Sequence, residues 1–136
     1  MKDFCIIGSG ISGATIASIL SKKYSLDVYD KARGIGGRSS NKKLNKNESF
    51  DHGVQYISPK STPFKKFVNN LIKKRIVKMW LGKHIFLNTK KKEDKKHIKI
   101  IGTKGNNAIS KYLLKNINCN FNSEVIKIFN KNKVWE

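Results

Sequence analysis

The sequence predicts an α/β fold built on a parallel sheet, and three observations near its amino end carry that expectation. An apolar run, Phe4-Cys5-Ile6-Ile7, leads into the glycine-rich hexapeptide Gly8-Ser9-Gly10-Ile11-Ser12-Gly13. A helical stretch, Ala14 to Lys23, leaves the hexapeptide. A second apolar run, Leu26-Asp27-Val28-Tyr29, ends on Asp30, 17 residues after Gly13. Strand, tight glycine turn, helix, strand and acid follow in the order of a Rossmann-like dinucleotide-binding unit. Glycine turns are common by themselves, so the flanking pattern on both sides gives the motif its weight.

Each element has a local reason. Lys2 to Ile7 is apolar without alternation, which reads as a central parallel strand with Cys5 as a small core residue. Gly8 allows the tight turn, Gly10 lets the backbone approach a pyrophosphate, and Gly13 lets the helix lie close to the strand. Ser12 to Lys23 reads as the helix, with Ala14, Ala17 and Ser18 permitting close packing and Ile16 and Leu20 filling the interface. Gly8, Ser9, Gly10, Ser12 and Gly13 offer backbone N–H groups to phosphate, the Ser9 or Ser12 hydroxyl assisting and Ile11 completing the turn. Asp30 is placed to accept hydrogen bonds from ribose hydroxyls, the alternative being a surface acid at a strand end.

After Asp30 comes a second turn, Lys31-Ala32-Arg33-Gly34-Ile35-Gly36-Gly37-Arg38. Arg33 and Arg38 read as partners of pyrophosphate oxygens or as surface charges beside a turn, and Gly36 and Gly37 as backbone that a cofactor can approach. Ser39 to Ser49 is polar and reads as a mobile hairpin. Phe50 to Ile57 is apolar and aromatic again. A helix follows from Phe64 to about Lys74, with Thr62 as N-cap and Pro63 in the first turn. Its Phe64, Phe67, Val68, Leu71 and Ile72 share one face. Ile76 to Leu81 and His84 to Asn88 flank Gly82-Lys83 as a hairpin, and Lys90 to Lys96 is a solvated charge run. Ile98 to Ile101 reads as a strand, Asn106 to Ile117 as a helix, and Asn118–Phe121, Glu124–Asn130 and Lys133–Glu136 as three short strands.

At 136 residues the length prior gives one domain with one modest core. The net charge of +20 would suggest nucleic acid, yet only three of the 29 basic residues are arginine. Abundant Lys, Asn and Ile together are what AT-rich codon usage produces, and phosphate clamps favour arginine. No specific nucleic-acid partner is therefore expected, although the charge attracts anions and causes self-repulsion. Cys5 and Cys119 form no CxxC, and no metal-ligand spacing links them to His52, His84 or His97, so no metal is expected and a reducing cytoplasm fits. No signal peptide or membrane-length apolar run is seen.

The glycine-and-arginine turn after Asp30 and the run Phe50-Asp51-His52-Gly53-Val54-Gln55-Tyr56-Ile57 together resemble the amine-oxidase-like FAD-dependent oxidoreductases, in particular their renalase-like branch. Gly102-Thr103-Lys104-Gly105-Asn106-Asn107 sits where that branch has a further glycine turn. The resemblance implies a Rossmann-like FAD-binding unit of the glutathione-reductase type, with a parallel sheet, a β-meander at the carboxyl end and a partial substrate-domain insertion. It divides the chain into 1–57, the dinucleotide-binding βαβ and flavin-proximal loop; 58–101, the insertion; and 102–136, the return helix and meander. It also implies that Asp51, His52, Gly53, Val54 and Gln55 lie beside the flavin, with Gln55, Tyr56 and His52 as the flavin-proximal candidates for catalysis. The competing reading of that stretch is a buried polar turn. Val125 would offer backbone groups to adenine. The family's chains are longer, and this one stops inside a strand pattern, so it reads as an amino-terminal part. The implied reaction is hydride transfer from a small molecule, a dihydronicotinamide or an amine, to FAD, with reoxidation by O₂. The alternatives are a non-catalytic dinucleotide-binding module, or half of a flavoprotein completed by a second polypeptide.

Overall fold

The computed structural model describes residues 1–82, 98–132 and 134–135. In chain order these form β1 (Phe4–Ile7), α1 (Ile11–Leu20), β2 (Leu26–Tyr29), a 3₁₀ turn (Gly37–Ser39), β3 (Asn41–Lys43), β4 (Ser49–Asp51), α2 (Thr62–Lys73), β5 (Val77–Met79), β6 (Ile100–Gly102), α3 (Ala108–Leu113), β7 (Asn118–Asn120), β8 (Asn130–Lys131) and β9 (Val134–Trp135). They fall into two compact units, Met1–Arg38 with Ser110–Glu136, and Ser39–Ile109.

The first unit holds a parallel sheet in the order β1-β2-β7. Phe4 pairs with Leu26 through to Ile7 with Tyr29, and Asp27, Val28 and Tyr29 pair with Asn118, Cys119 and Asn120. The core is the face where Ala14 and Ala17 of α1 meet Leu26, Val28 and Leu114, with Ile6, Leu20, Ile35, Leu113, Ile117 and Cys119 packed around them. The two alanines bring the helix axis close, and each buried aliphatic side chain contributes about 1.5–3 kcal/mol.

Three expectations are corrected here. The central strand is β2, because among the described residues β1 has a neighbour on one edge only. Phe4, Cys5 and Ile7 are accordingly exposed, and Cys5 is not a core residue. Ile16 does not fill the helix–sheet interface: it is 51% exposed, because the Ala14–Ala17 stripe sets the inward face and Ile16 lies on its flank. Nor do residues 118–136 form a three-strand meander. The first stretch joins the parallel sheet as β7, filling the free edge of β2 and sending Cys119 into the core. Residues 124–129 belong to no strand, and only the two-residue pair β8–β9 is antiparallel.

In the second unit the expected hairpin is β3–β4, Asn41 opposite Asp51 and Lys43 opposite Ser49. Its turn is held by the Asn45 Oδ1, which accepts from Asn47 N at 2.9 Å and Glu48 N at 2.8 Å. Helix α2 begins one residue earlier than its expected cap. Ser61 is the N-cap, its hydroxyl accepting from Phe64 N at 3.4 Å, and Thr62 and Pro63 occupy the first turn, where the missing proline N–H costs nothing. The helix ends without glycine: Arg75 takes φ +56°, Arg75 N donates to Ile72 O and Ile76 N to Leu71 O. That is a Schellman closure on a non-glycine residue.

Strand β5 pairs antiparallel with β6, Val77 opposite Gly102 and Met79 opposite Ile100. Ile57 bridges Ile100 on the other edge of β6. The expected strand at His84–Asn88 and the Lys90–Lys96 run lie outside the described residues. Helix α3 is shorter than expected, leaving Asn106 and Asn107 in the turn before it. Val68, Leu71, Val77, Ile100 and Ile109 are the buried apolar residues of this unit. No helix among the described residues is long and apolar enough to cross a membrane.

Candidate dinucleotide site

The glycine hexapeptide forms the turn from β1 into α1. Gly8 has φ +98°, a backbone that L side chains rarely adopt, and its N–H donates to Tyr29 O at 2.7 Å. A Cβ on Gly13 would overlap the Gly8 carbonyl oxygen and meet Ile6 Cγ2 at 3.3 Å, so only glycine lets α1 cross β1 this closely. Gly10 is the N-cap and has no side chain to bond the helix start. The first bond within the helix is Ala14 N to Gly10 O at 2.9 Å. The N–H groups of Ile11, Ser12 and Gly13 therefore have no acceptor within the helix, and no acid sits in the first turn. This positive end is open to an anion, as a pyrophosphate requires.

Asp30 is held firmly at the end of β2. Its Oδ2 accepts from Ser9 N at 2.7 Å and Ser9 Oγ at 2.5 Å, and its Oδ1 from Ala32 N at 2.8 Å. Ser9 is fully buried, and both its donors are directed at Asp30. The expectation that Ser9 lends its amide and hydroxyl to phosphate is thus corrected: the chain leaves β1 beside the end of β2, so Ser9 meets the acid first. With two bonds on Oδ2 and one on Oδ1, one lone-pair direction remains on Oδ1 for a ribose hydroxyl.

Burial alone would raise the Asp30 carboxyl, but the Ser9 hydroxyl, the Ala32 and Ser9 amides and the Lys31 charge outweigh it and hold the group below its ordinary value of 3.8. The stability this contributes is full above the unfolded value and is lost as pH falls through the lower folded one. We expect an unfolding midpoint insensitive to Asp30 above about pH 4 that falls below it, and a smaller fall in Asp30→Asn, read by circular dichroism on pH titration.

The backbone around Asp30 is tied down as well. Asp30 N donates to Asn120 O, Ser123 N to Asp30 O and Asn122 N to Ala32 O. Val125 follows two residues after this tether, half-buried and outside any strand. Lys31 pairs with Glu124 at 3.7 Å, both exposed, an interaction worth about 0–1 kcal/mol.

The second turn lies on the first: Gly36 bridges Gly10, and a Cβ on Gly10 would meet Gly37 Cα at 3.8 Å. Ile35 anchors this turn in the core. Arg33 and Arg38 are exposed, and neither guanidinium has a partner among the described residues. The structure therefore gathers Gly8–Gly13, Asp30–Lys31, Gly36–Gly37, both arginines and Val125 within one unit.

The second unit holds Asp51 to Tyr56, organised by a residue outside the expected site set. Asn106 is buried; its Oδ1 accepts from Gly102 N at 2.9 Å, and its Nδ2 donates to Val54 O at 2.6 Å and Gln55 O at 3.2 Å. Its backbone N–H donates to Asp51 Oδ1 at 2.9 Å, which also accepts from Asn41 Nδ2 at 3.1 Å. Asp51, Val54 and Gln55 are thus fixed by their polar groups. Gly53 and the Gln55 side chain are exposed, and His52 is exposed with its ring edge-on to Phe50 at 6.2 Å. Tyr56 lies 5.8 Å from the Trp80 ring, with the Lys99 ammonium 4.9 Å from its centroid. The glycines at 102 and 105 were the sequence signal for Asn106: they mark a turn whose buried polar residue must find acceptors.

Residues 6–71 match the family described as NAD(P)-binding Rossmann-like domain. Among solved structures, the chain is similar to putrescine oxidase in a cofactor-binding redesign double mutant, with TM-score 0.47 and 25% identity over 62% of this chain and 18% of that one. A single mutant of the same redesign gives TM-score 0.44 and 25% identity over 58% and 17%. The wild type bound to putrescine gives 0.43 and 22% over 58% and 17%. This chain therefore spans less than a fifth of the length of those structures. It is an α/β protein with a parallel sheet β1-β2-β7 and a Rossmann-like unit at its amino end.

Proposed function

We propose that this chain is the FAD-binding portion of a flavin-dependent oxidoreductase, cytoplasmic and completed on the substrate side by a second polypeptide. One observation carries the reading: the second glycine turn is seated on the first, with Gly36 bridging Gly10 beside the open amino end of α1 and the anchored Asp30. A nicotinamide-type site needs only the first turn and the acid. The second turn brings further backbone and two arginines without partners to the same mouth, which suits the extended diphosphate of FAD.

In this reading the amides of Ile11, Ser12 and Gly13 bind the diphosphate, Arg33 and Arg38 neutralise it, Asp30 holds the adenosine ribose and the backbone near Val125 meets adenine. Asp51 to Gln55 serve the ring, with Gln55, Tyr56 and His52 toward a small substrate. Bound FAD supplies the hydride acceptor, reduced by a dihydronicotinamide or an amine and reoxidised by O₂. The protein's part is to bind and orient.

The match of residues 6–71 to an NAD(P)-binding family favours a second reading, a non-catalytic dinucleotide-binding module. Titration of the purified chain with FAD and with NAD, followed by flavin absorbance and by calorimetry, separates the two. Tighter binding of FAD with substrate-dependent bleaching supports the oxidoreductase, and FAD binding without bleaching supports the module. A preference for NAD sinks the flavin assignment. Asp30→Ala should raise the FAD dissociation constant by about tenfold, or about 1.4 kcal/mol; an unchanged value would remove Asp30 from the site.

A further inference from the structure

We propose that the outer edge of β1 and the adjoining apolar flank of α1 form a docking surface for an extended strand of a second, acidic polypeptide. The partner is the second polypeptide of the reading above, on which this step rests; the surface is read from one unit alone. Phe4 N donates to Ser25 O and Gly8 N to Tyr29 O. Main-chain groups alternate sides along a strand, so those of Phe4, Ile6 and Gly8 face β2, while Cys5 and Ile7 direct theirs away from it. Two donors and two acceptors thus face outward with no strand opposite them among the described residues.

The surface beside this edge is apolar. Phe4 is 40% exposed, Ile7 54%, Ile16 51% and Ile19 60%. On α1, Gly13 faces Ile6 of β1, while Ser18 and Ser21 line a cavity with Tyr112 and Leu113. Ile16, two residues before Ser18, is turned about 200° from it and so overhangs the open edge of β1. Parallel sheets are covered on both faces and paired along their inner strands, and an uncovered apolar edge is a pairing template.

Charge selects the occupant. Lys2, Lys22 and Lys23 are exposed around the Phe4 end of this strip. The one nearby acid, Asp3, is engaged by Ser25 N at 2.8 Å and Ser25 Oγ at 2.6 Å. A second copy of the chain would bring another +20 charge to the same place and be repelled, whereas acidic flanks on an apolar strand complement the lysines.

The test uses the full chain and three fluorescein-labelled nonapeptides: Glu-Glu-Val-Thr-Val-Thr-Val-Glu-Glu, its lysine-flanked counterpart, and a version with proline at the central valine. Anisotropy should show the acidic strand binding at least about tenfold more tightly than either control. Ile16→Lys and Cys5→Pro should each weaken it by about tenfold, the proline removing only an outward N–H. Circular dichroism checks folding, and Ile16→Lys stands alone if Cys5→Pro fails to fold. Equal binding of the proline peptide, insensitivity to Ile16→Lys, absence of binding, or sedimentation as a dimer through these residues would each overturn the proposal. FAD titration of the same samples is a separate readout, because neither Ile16 nor Cys5 touches the dinucleotide site.

Discussion

Gly13→Ala is expected to cost the first unit at least about 3 kcal/mol, more than any other single methyl group added to the turn. The new Cβ would overlap the Gly8 carbonyl oxygen and press on Gly8 C at 3.2 Å and Ile6 Cγ2 at 3.3 Å. Two of these three atoms are backbone. Relief requires α1 to move off β1, which would open the packing of Ala14 and Ala17 on Leu26 and Val28. Urea denaturation followed by circular dichroism reads the loss as a lower midpoint. Gly10→Ala is the control. Its Cβ would find Gly37 Cα at 3.8 Å and Gly36 O at 4.0 Å, ordinary contacts, so stability should change by less than about 0.5 kcal/mol. If Gly13→Ala were as stable as Gly10→Ala, the close crossing of helix and strand would be wrong.

Asn106→Ala should destabilise the second unit by about 3–5 kcal/mol. The side chain makes three hydrogen bonds, and its loss leaves Gly102 N–H and the carbonyls of Val54 and Gln55 without it in a buried turn. Thermal unfolding gives the magnitude, and hydrogen exchange gives the mechanism. In Asn106→Ala the Gly102 amide should lose its protection. In Asn106→Asp it should keep it, since Oδ1 is retained, while a carboxylate oxygen now confronts two carbonyls and the Asp51–Gln55 segment loosens. Equal protection of Gly102 in both variants, or a stability loss under about 1 kcal/mol in Asn106→Ala, would show that Asn106 does not organise this segment.

Much of the dinucleotide site was legible because its logic is local. The turn at Gly8, the crossing at Gly13, the open helix start and Asp30 at the strand end all follow from residues a few positions apart. Helix α2 was legible for the same reason, although its cap lies at Ser61 rather than Thr62, a shift of one residue that two neighbouring hydroxyls leave open. Its end was not legible. Arg75 holds a left-handed conformation that glycine usually marks, and the Leu71 and Ile72 carbonyls that close around it belong to the turn before.

Partners distant in the chain were out of reach. That Ser9 spends both donors on Asp30 depends on β1 and β2 lying side by side, 21 positions apart in the chain. Asn106 reaches back 51 and 52 positions to Gln55 and Val54, which no local pattern announces. Residues 118–121 carried an adequate strand signal, but whether they joined a meander or the free edge of β2 depended on which unpaired amides stood nearest a hydrophobic face.

By itself the sequence determined the order strand–glycine turn–helix–strand–acid, the side chains that such a turn excludes, and the class of fold that results, because steric limits and helix-end polarity act within one or two turns of chain. Only the tertiary structure decided which apolar strand is central, where Ser9 and Asn106 point, and that β1 leaves an edge bare. Burial belongs to neighbours rather than to residues: an apolar run states what a strand would tolerate on its two sides, and only packing supplies or withholds what lies there.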